Sequence, residues 1–181
     1  MMRLIPPQAP PSEKPKHYDL GKTDAEIIFN SADVNKNAAI SMIKQGHLAV
    51  NIYTQDLDPQ VLNDEIFARH LLNMVRQYKQ MQIKILVKDS SKVVKGSHVL
   101  QRLAQQLSTH IEVKNIPDIY NSVKASFMVV DRTGFYYRPN ASEFSGSVNF
   151  NSPARAAKLL EHFSDVWEKA EPDPHFRKLH L

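Results

Sequence analysis

The sequence predicts a single α/β domain, with a mixed, mostly parallel sheet flanked by helices on both faces. Three observations point there. The chain has 181 residues, 42% of them hydrophobic, which suits one domain with a real core. Over most of its length apolar periodicity alternates between strand and helix, the pattern of a helix-covered parallel sheet. The C-terminal third changes character: strand-like runs around Gly134 are followed by one long amphipathic segment.

Taken in order, Ala25 to Phe29 reads as a short strand, and Ser31 or Asp33 can cap a helix running to about Gln45. From His47 to Thr54, Leu48, Val50, Ile52 and Tyr53 form a half-buried strand pattern, broken at Asp56-Leu57-Asp58-Pro59. Phe67, Leu71, Met74, Val75 and Tyr78 fall on one face of the clearest helix, with Arg69, Arg76 and Lys79 elsewhere. Ile83 to Val87 is a buried strand. Ser97 is placed to cap a helix with an apolar face of Leu100, Leu103, Ala104 and Leu107, and Ile111 and Val113 open a strand that stops at Pro117. Ala125 to Val130 reads as a buried strand, Gly134 as a turn, Phe135 to Arg138 as its hairpin partner, and Ser147 to Phe150 as a third short strand. Pro153 suits the first turn of a final helix with Ala157, Leu160, Phe163, Trp167 and Ala170 on one face, ended by Pro172 and Pro174.

Residues 1–22 carry Pro6, Pro7, Pro10, Pro11 and Pro15 and are expected to form a flexible arm, since proline fixes φ and donates no hydrogen bond. The domain is expected over 23–171 and a frayed tail over 172–181. No apolar run approaches the roughly 18 residues of a membrane span, so no membrane insertion is expected. The N-terminus has no signal-peptide pattern. With no cysteine, disulfides, thiolate metal sites and a cysteine nucleophile are excluded; a cytoplasmic location is the expectation by elimination. The net charge of +4 is matched by the stretch from Gln82 to His110, where Lys84, Lys88, Lys92, Lys95 and Arg102 face only Asp89. Such a cluster attracts phosphates, although a merely solvated face is the commoner explanation.

From Lys124 onward the residues resemble one half of a phospholipase D-like protein. That superfamily carries His-x-Lys-x4-Asp at the end of a core strand and then Gly-Ser-x-Asn. Here the corresponding positions are Lys124, Ser126 and Asp131, followed by Gly146, Ser147, Val148 and Asn149 and the helix ending at Trp167. The segment from Tyr53 to Pro59, and through His98 to Leu107, is also similar to a bacterial family without an assigned function, sometimes fused to acetyltransferases. The resemblance spans residues 25–170 and implies a single phospholipase D-like domain. It further implies that an active site would need a homodimer, because the chain has one motif.

The departures from the pattern decide the expected function. In such enzymes the motif His attacks phosphorus, the Lys holds a non-bridging oxygen, and a second His protonates the leaving group. A lysine side chain is normally protonated at neutral pH and has no lone pair to offer. A serine does not replace a cation against a charged transition state. The leading expectation is therefore a non-catalytic binding or regulatory module for a phosphate-bearing or nucleic-acid ligand, held by Lys124, Ser126, Arg132, Arg138, Ser147, Asn149 and His98. The alternative is a homodimeric phosphodiesterase or nuclease with a relocated nucleophile, for which His98 is the first histidine to test. A third is an interaction domain pairing through sheet edges and the aromatic face near Trp167.

Other constellations carry less. Asp131 suits a turn, and Gly146 to Asn149 a tight turn with side-chain hydrogen bonds. Asp173, His175 and His180 lack the helical i, i+4 spacing of a metal pair, so no metal and no cofactor is expected. No P-loop, dinucleotide-binding glycine pattern or Gly-x-Ser-x-Gly elbow occurs. Tyr136-Tyr137-Arg138 interleaves aromatics with a cation as some single-strand nucleic-acid surfaces do, but a hairpin strand would turn one tyrosine inward. Asp56 and Asp58 read as a strand-to-helix turn.

Overall fold

The computed structural model describes residues 17–177, and the side chains of residues 94 and 95 lie outside that description. Among the described residues eight strands form one sheet: β1 (Ile27–Phe29), β2 (Ala49–Thr54), β3 (Gln82–Val87), β4 (Ile111–Asn115), β5 (Ser126–Val130), β6 (Gly134–Arg138), β7 (Gly146–Asn149) and β8 (Glu171–Pro172). Their order across the sheet is β1-β7-β6-β5-β2-β3-β4-β8.

The helices form where their caps and apolar faces allow. The Ser31 hydroxyl caps α1 (Ala32–Ile43) at Val34 N–H. Asp64 caps α2 (Glu65–Gln77) by accepting from the N–H groups of Ile66 and Phe67. A short α3 (Ser91–Lys95) precedes α4 (Val99–Gln106). Pro153 opens α5 (Pro153–Lys169), as the fixed φ of proline at a first turn permits. Helices α1, α2 and α4 cover one face of the sheet over a large core that includes Met42, Ile52, Phe67, Leu71, Ile83, Ile85, Met128 and Tyr136. On the other face α5 packs across β2, β5 and β6 over Tyr53, Leu86, Phe127, Val129, Phe135, Phe163 and Val166. None of the described helices is long and apolar enough to cross a membrane.

The sheet is mixed as expected but mostly antiparallel, not mostly parallel. Only β2–β3 and β3–β4 run parallel. A parallel neighbour needs a crossover, and helices supply one twice, between β2 and β3 and between β3 and β4. After β4 the chain returns to the other side of β2, where β5, β6 and β7 form an antiparallel meander. Both edge strands, β1 and β8, also join antiparallel.

The described parts of the expected arm and tail are tied down. Tyr18 stacks on Phe150 with ring centroids 5.6 Å apart, Gly21 N–H donates to the Phe150 carbonyl at 2.8 Å, and the Gln45 amide bonds to Leu20 N–H and the Tyr18 carbonyl. At the other end β8 pairs with β4, and Asp173 and Phe176 are buried. The five expected arm prolines and His180 lie outside the described residues.

This topology defines one end of the sheet. Thr54 pairs with Val87, Val87 with Asn115, Tyr53 with Phe127 and Ser126 with Arg138. The C-terminal ends of the three parallel strands, the start of β5 and the end of β6 therefore meet. The chain leaves β2 toward β3 on one side and β5 flanks it on the other. Such a switch point is where open α/β sheets place ligands.

Candidate functional site

Asp131 sits at the far end of β5 from that switch point. It and Arg132 have positive φ values of 54° and 59° and close the β5–β6 hairpin, with Thr133 N–H donating to the Val130 carbonyl at 3.1 Å. The buried Asp131 carboxylate accepts from the N–H groups of His47, Leu48 and Ala49 at 2.8–3.0 Å and from His47 Nδ1 at 2.8 Å. It thereby fastens the hairpin to the start of β2. Every oxygen is committed to structure.

At the switch-point end Lys124 precedes β5 and is exposed. Its carbonyl accepts from Ala141 N–H at 2.9 Å. Ser126 is only 5% exposed, and its Oγ is buried without a hydrogen-bond partner. It lines a cavity of about 10 Å³ together with Thr54, Asp58, Val61, Met128 and Tyr136. That is room for about one water, far too little for a phosphodiester. An unsatisfied buried hydroxyl stabilises nothing, so Ser126→Ala is expected to be neutral or stabilising within about 1 kcal/mol by urea unfolding. A larger loss would mean that a cavity water bonds the hydroxyl.

Directly across from Ser126 on β6 lies Arg138, 1% exposed. Its guanidinium donates to the Asp58 carboxylate, the Ala141 carbonyl and, from Nε at 2.8 Å, the Glu143 carbonyl. It also stands over the Phe144 ring at 5.2 Å. Its charge is spent internally, joining the loop after β2 to the loop between β6 and β7. Asp58 is presented by a turn in which Leu57 and Asp58 both have positive φ, 62° and 36°, an unusual conformation for side-chain-bearing residues. Burial pushes the Asp58 carboxyl up from its ordinary range, while the Arg138 charge pulls it down. Beside this pair the Tyr136 hydroxyl donates to Asn35 Oδ1 at 2.8 Å, and the Asn35 amide holds the carbonyls of Ser31 and Phe144.

His98, and not Ser97, caps α4. Its Nδ1 accepts from Leu100 N–H at 3.2 Å and its Nε2 lies 3.1 Å from the Leu57 carbonyl. This fixes the neutral Nε2–H tautomer and leaves no lone pair for a nucleophile. Burial lowers the His98 pKa from its ordinary value, opposed by the Leu57 carbonyl and Asp56. The fold thus holds the neutral form. The stability His98 contributes is complete above the unfolded pKa of about 6.5 and is lost as pH falls below it toward the lower folded value. His70, also lowered by burial, acts in the same direction. Unfolding free energy is expected to fall between about pH 7 and pH 5, and His98→Asn, which retains a capping oxygen, should flatten that slope. An unchanged slope would place the acid sensitivity elsewhere.

The remaining expected ligand residues are not gathered at this end. Ser147 pairs with Tyr137, and Asn149 with Phe135, so both face the α5 side of the sheet, opposite Ser126 and Arg138. The Asn149 amide donates to Asp24 at 2.9 Å and its oxygen accepts from Asn151 N–H. Arg132 is exposed at the opposite end of β5. The basic segment is largely paired: Lys88 with Asp118, Lys92 with Asp56 and Arg102 with Glu65. Lys84 lies over the Trp167 ring at 5.2 Å, as Lys114 does at 4.5 Å, so that aromatic face already has partners. Among the described residues no cluster of three His, Cys, Asp or Glu side chains could hold a metal.

One constellation escaped the sequence reading. Ser90 Oγ lies 3.0 Å from His175 Nδ1, which is 3.2 Å from the buried Asp173 carboxylate. Both contacts use the same ring nitrogen, whereas a catalytic relay needs the base on one nitrogen and its orienting acid on the other. The set docks the C-terminal turn and does not activate Ser90.

Residues 31–179 match the model of a family described as a domain of unknown function (DUF7931). No curated protein matches. Solved structures of similar fold include TrmBL2, an archaeal chromatin protein described as showing a novel mode of DNA binding. There the TM-score is 0.63 at 14% identity, over 90% of this chain and 57% of that one. Nuc from Salmonella typhimurium, a phospholipase D family member, has a TM-score of 0.55 at 13% identity over 82% and 99%. NucT from Helicobacter pylori has 0.57 at 12% identity over the same shares. At these identities the likeness is one of fold alone: the chain has a phospholipase D-like fold.

Proposed function

The chain belongs to the DUF7931 family, and we propose that it is a non-catalytic phospholipase D-like module that binds a phosphate-bearing ligand without cleaving it. The observation that carries this reading is the state of the switch-point end. The position corresponding to the motif nucleophile is an exposed lysine, and the position corresponding to the motif lysine is a buried serine beside a cavity of about 10 Å³. The cation across the strand is neutralised by Asp58. Phosphoryl transfer through a phospho-histidine needs an imidazole lone pair at the first of these positions and a cation at the second, and a lysine followed by a buried serine supplies neither. The alternative of a relocated nucleophile at His98 is disfavoured by the engagement of both ring nitrogens.

That the ligand bears phosphate is supported by the net positive charge and by analogy of fold with a chromatin protein described as binding DNA. The test is titration of the full chain with labelled nucleic acids and soluble phosphodiesters at low and high salt. Salt-dependent binding without product is expected. No salt-dependent binding to any of them discards the phosphate-binding reading.

A further inference from the structure

The cavity beside Ser126 is too small for such a ligand, whereas the surface beside the first half of α5 has the chemistry to hold one. The Tyr136-Tyr137-Arg138 run divides between the two faces of the sheet. Tyr136 and Arg138 point into the large core, while Tyr137 faces the α5 side and stays half-exposed. The cation it meets there comes from α5: the Arg155 guanidinium lies 5.3 Å from the Tyr137 ring centroid and 4.8 Å from that of Phe135. Tyr137, Ser152, Ala154, Arg155, Lys158 and Leu159 line an open groove of about 450 Å³. On the same face, beyond Ser147, the sheet ends at β1 with Ile28, which is 73% exposed.

We propose that this groove binds single-stranded nucleic acid, with an unpaired base stacking against Tyr137 and Arg155 and the flanking phosphates held by Arg155 and Lys158. Rings and guanidinium planes accept any base by its π-face, and neighbouring cations follow the backbone. The base must be unpaired to lie there, which disfavours a duplex. Arg155 is paired with Glu26 at 3.2 Å, but both side chains are nearly half-exposed, and such a pair contributes little and gives way readily to a phosphate. Lys158 makes no ion pair among the described residues. The assignment rests on the reading of the protein as a phosphate-binding module, but locates the site away from the degenerate motif.

The experiment is fluorescence anisotropy of a labelled oligothymidylate, single-stranded and as a duplex, titrated with the full chain and three variants whose folding is checked by thermal melting. Wild type is expected to bind the single strand more tightly than the duplex. Arg155→Gln combined with Lys158→Gln should weaken binding at least tenfold and reduce the slope of log affinity against log salt by about 1.4, as expected for two lost phosphate contacts. Tyr137→Leu should weaken it about tenfold through lost stacking, while Lys124→Gln leaves it unchanged. Should Tyr137→Leu fail to fold, the surface double variant decides alone. Equal affinity for duplex, absence of single-strand binding, or a double variant that binds like wild type overturns the groove. If Lys124→Gln alone abolishes binding, the groove is wrong while the binding-module reading stands. Cleavage of the oligonucleotide overturns the module reading itself.

Discussion

Replacing Asp58 with asparagine is expected to cost about 3 kcal/mol of stability in urea unfolding, because it leaves the fully buried Arg138 guanidinium without its carboxylate. Asparagine is chosen because it tolerates the positive φ of 36° at this position, so the loss reports charge and not backbone strain. Burying a cation is tolerable only when it is paired, and the carbonyls of Ala141 and Glu143 accept hydrogen bonds without cancelling its charge. The pair need not be stabilising relative to an apolar alternative. Combining Asp58→Asn with Arg138→Met should therefore recover much of the loss. A single variant as stable as wild type would show that Arg138 reaches solvent, and would reopen it as a ligand residue.

A loss of about 4 kcal/mol is expected for Asp131→Ala. The substitution removes the acceptor for three backbone N–H groups at the start of β2 and puts alanine at a φ of 54°, where a Cβ is disfavoured. Asp131→Asn keeps the conformational preference and one acceptor oxygen and should lose roughly half as much. Asp131 thus acts as a clamp between the hairpin and β2. A near-neutral Asp131→Ala variant would remove that role.

Much of the fold was legible because its signals are local. The apolar run Ile83–Val87, the Phe67–Tyr78 face and the Pro153 helix start each depend on residues within one element. Pairing order depends on residues far apart, so the antiparallel additions of β1 to β7 and β8 to β4 had no local signature. The same distance hid the site's main feature. Arg138 reads as a cation free for a ligand until its partner, 80 residues earlier, is in place, and Asp58 reads as a turn-former, which it also is. Ser97 looked the better cap because hydroxyls dominate that position, yet the His98 ring supplies an equivalent acceptor and also bonds Leu57. Gly146-Ser-Val-Asn149 was visible as a motif, but its side chains' face is set by cross-strand register, which directs Ser147 and Asn149 away from Ser126.

On the proposed reading neither Lys124 nor Ser126 attacks phosphorus, and His98, with both ring nitrogens engaged, does not either. Release of nitrophenol from a chromogenic phosphodiester by the purified full chain, followed beside the His98→Asn variant, tests this. Product formation indistinguishable from buffer in both is the predicted result. Turnover that scales with protein concentration in wild type would overturn this reading, and its loss in the variant would identify His98 as the nucleophile.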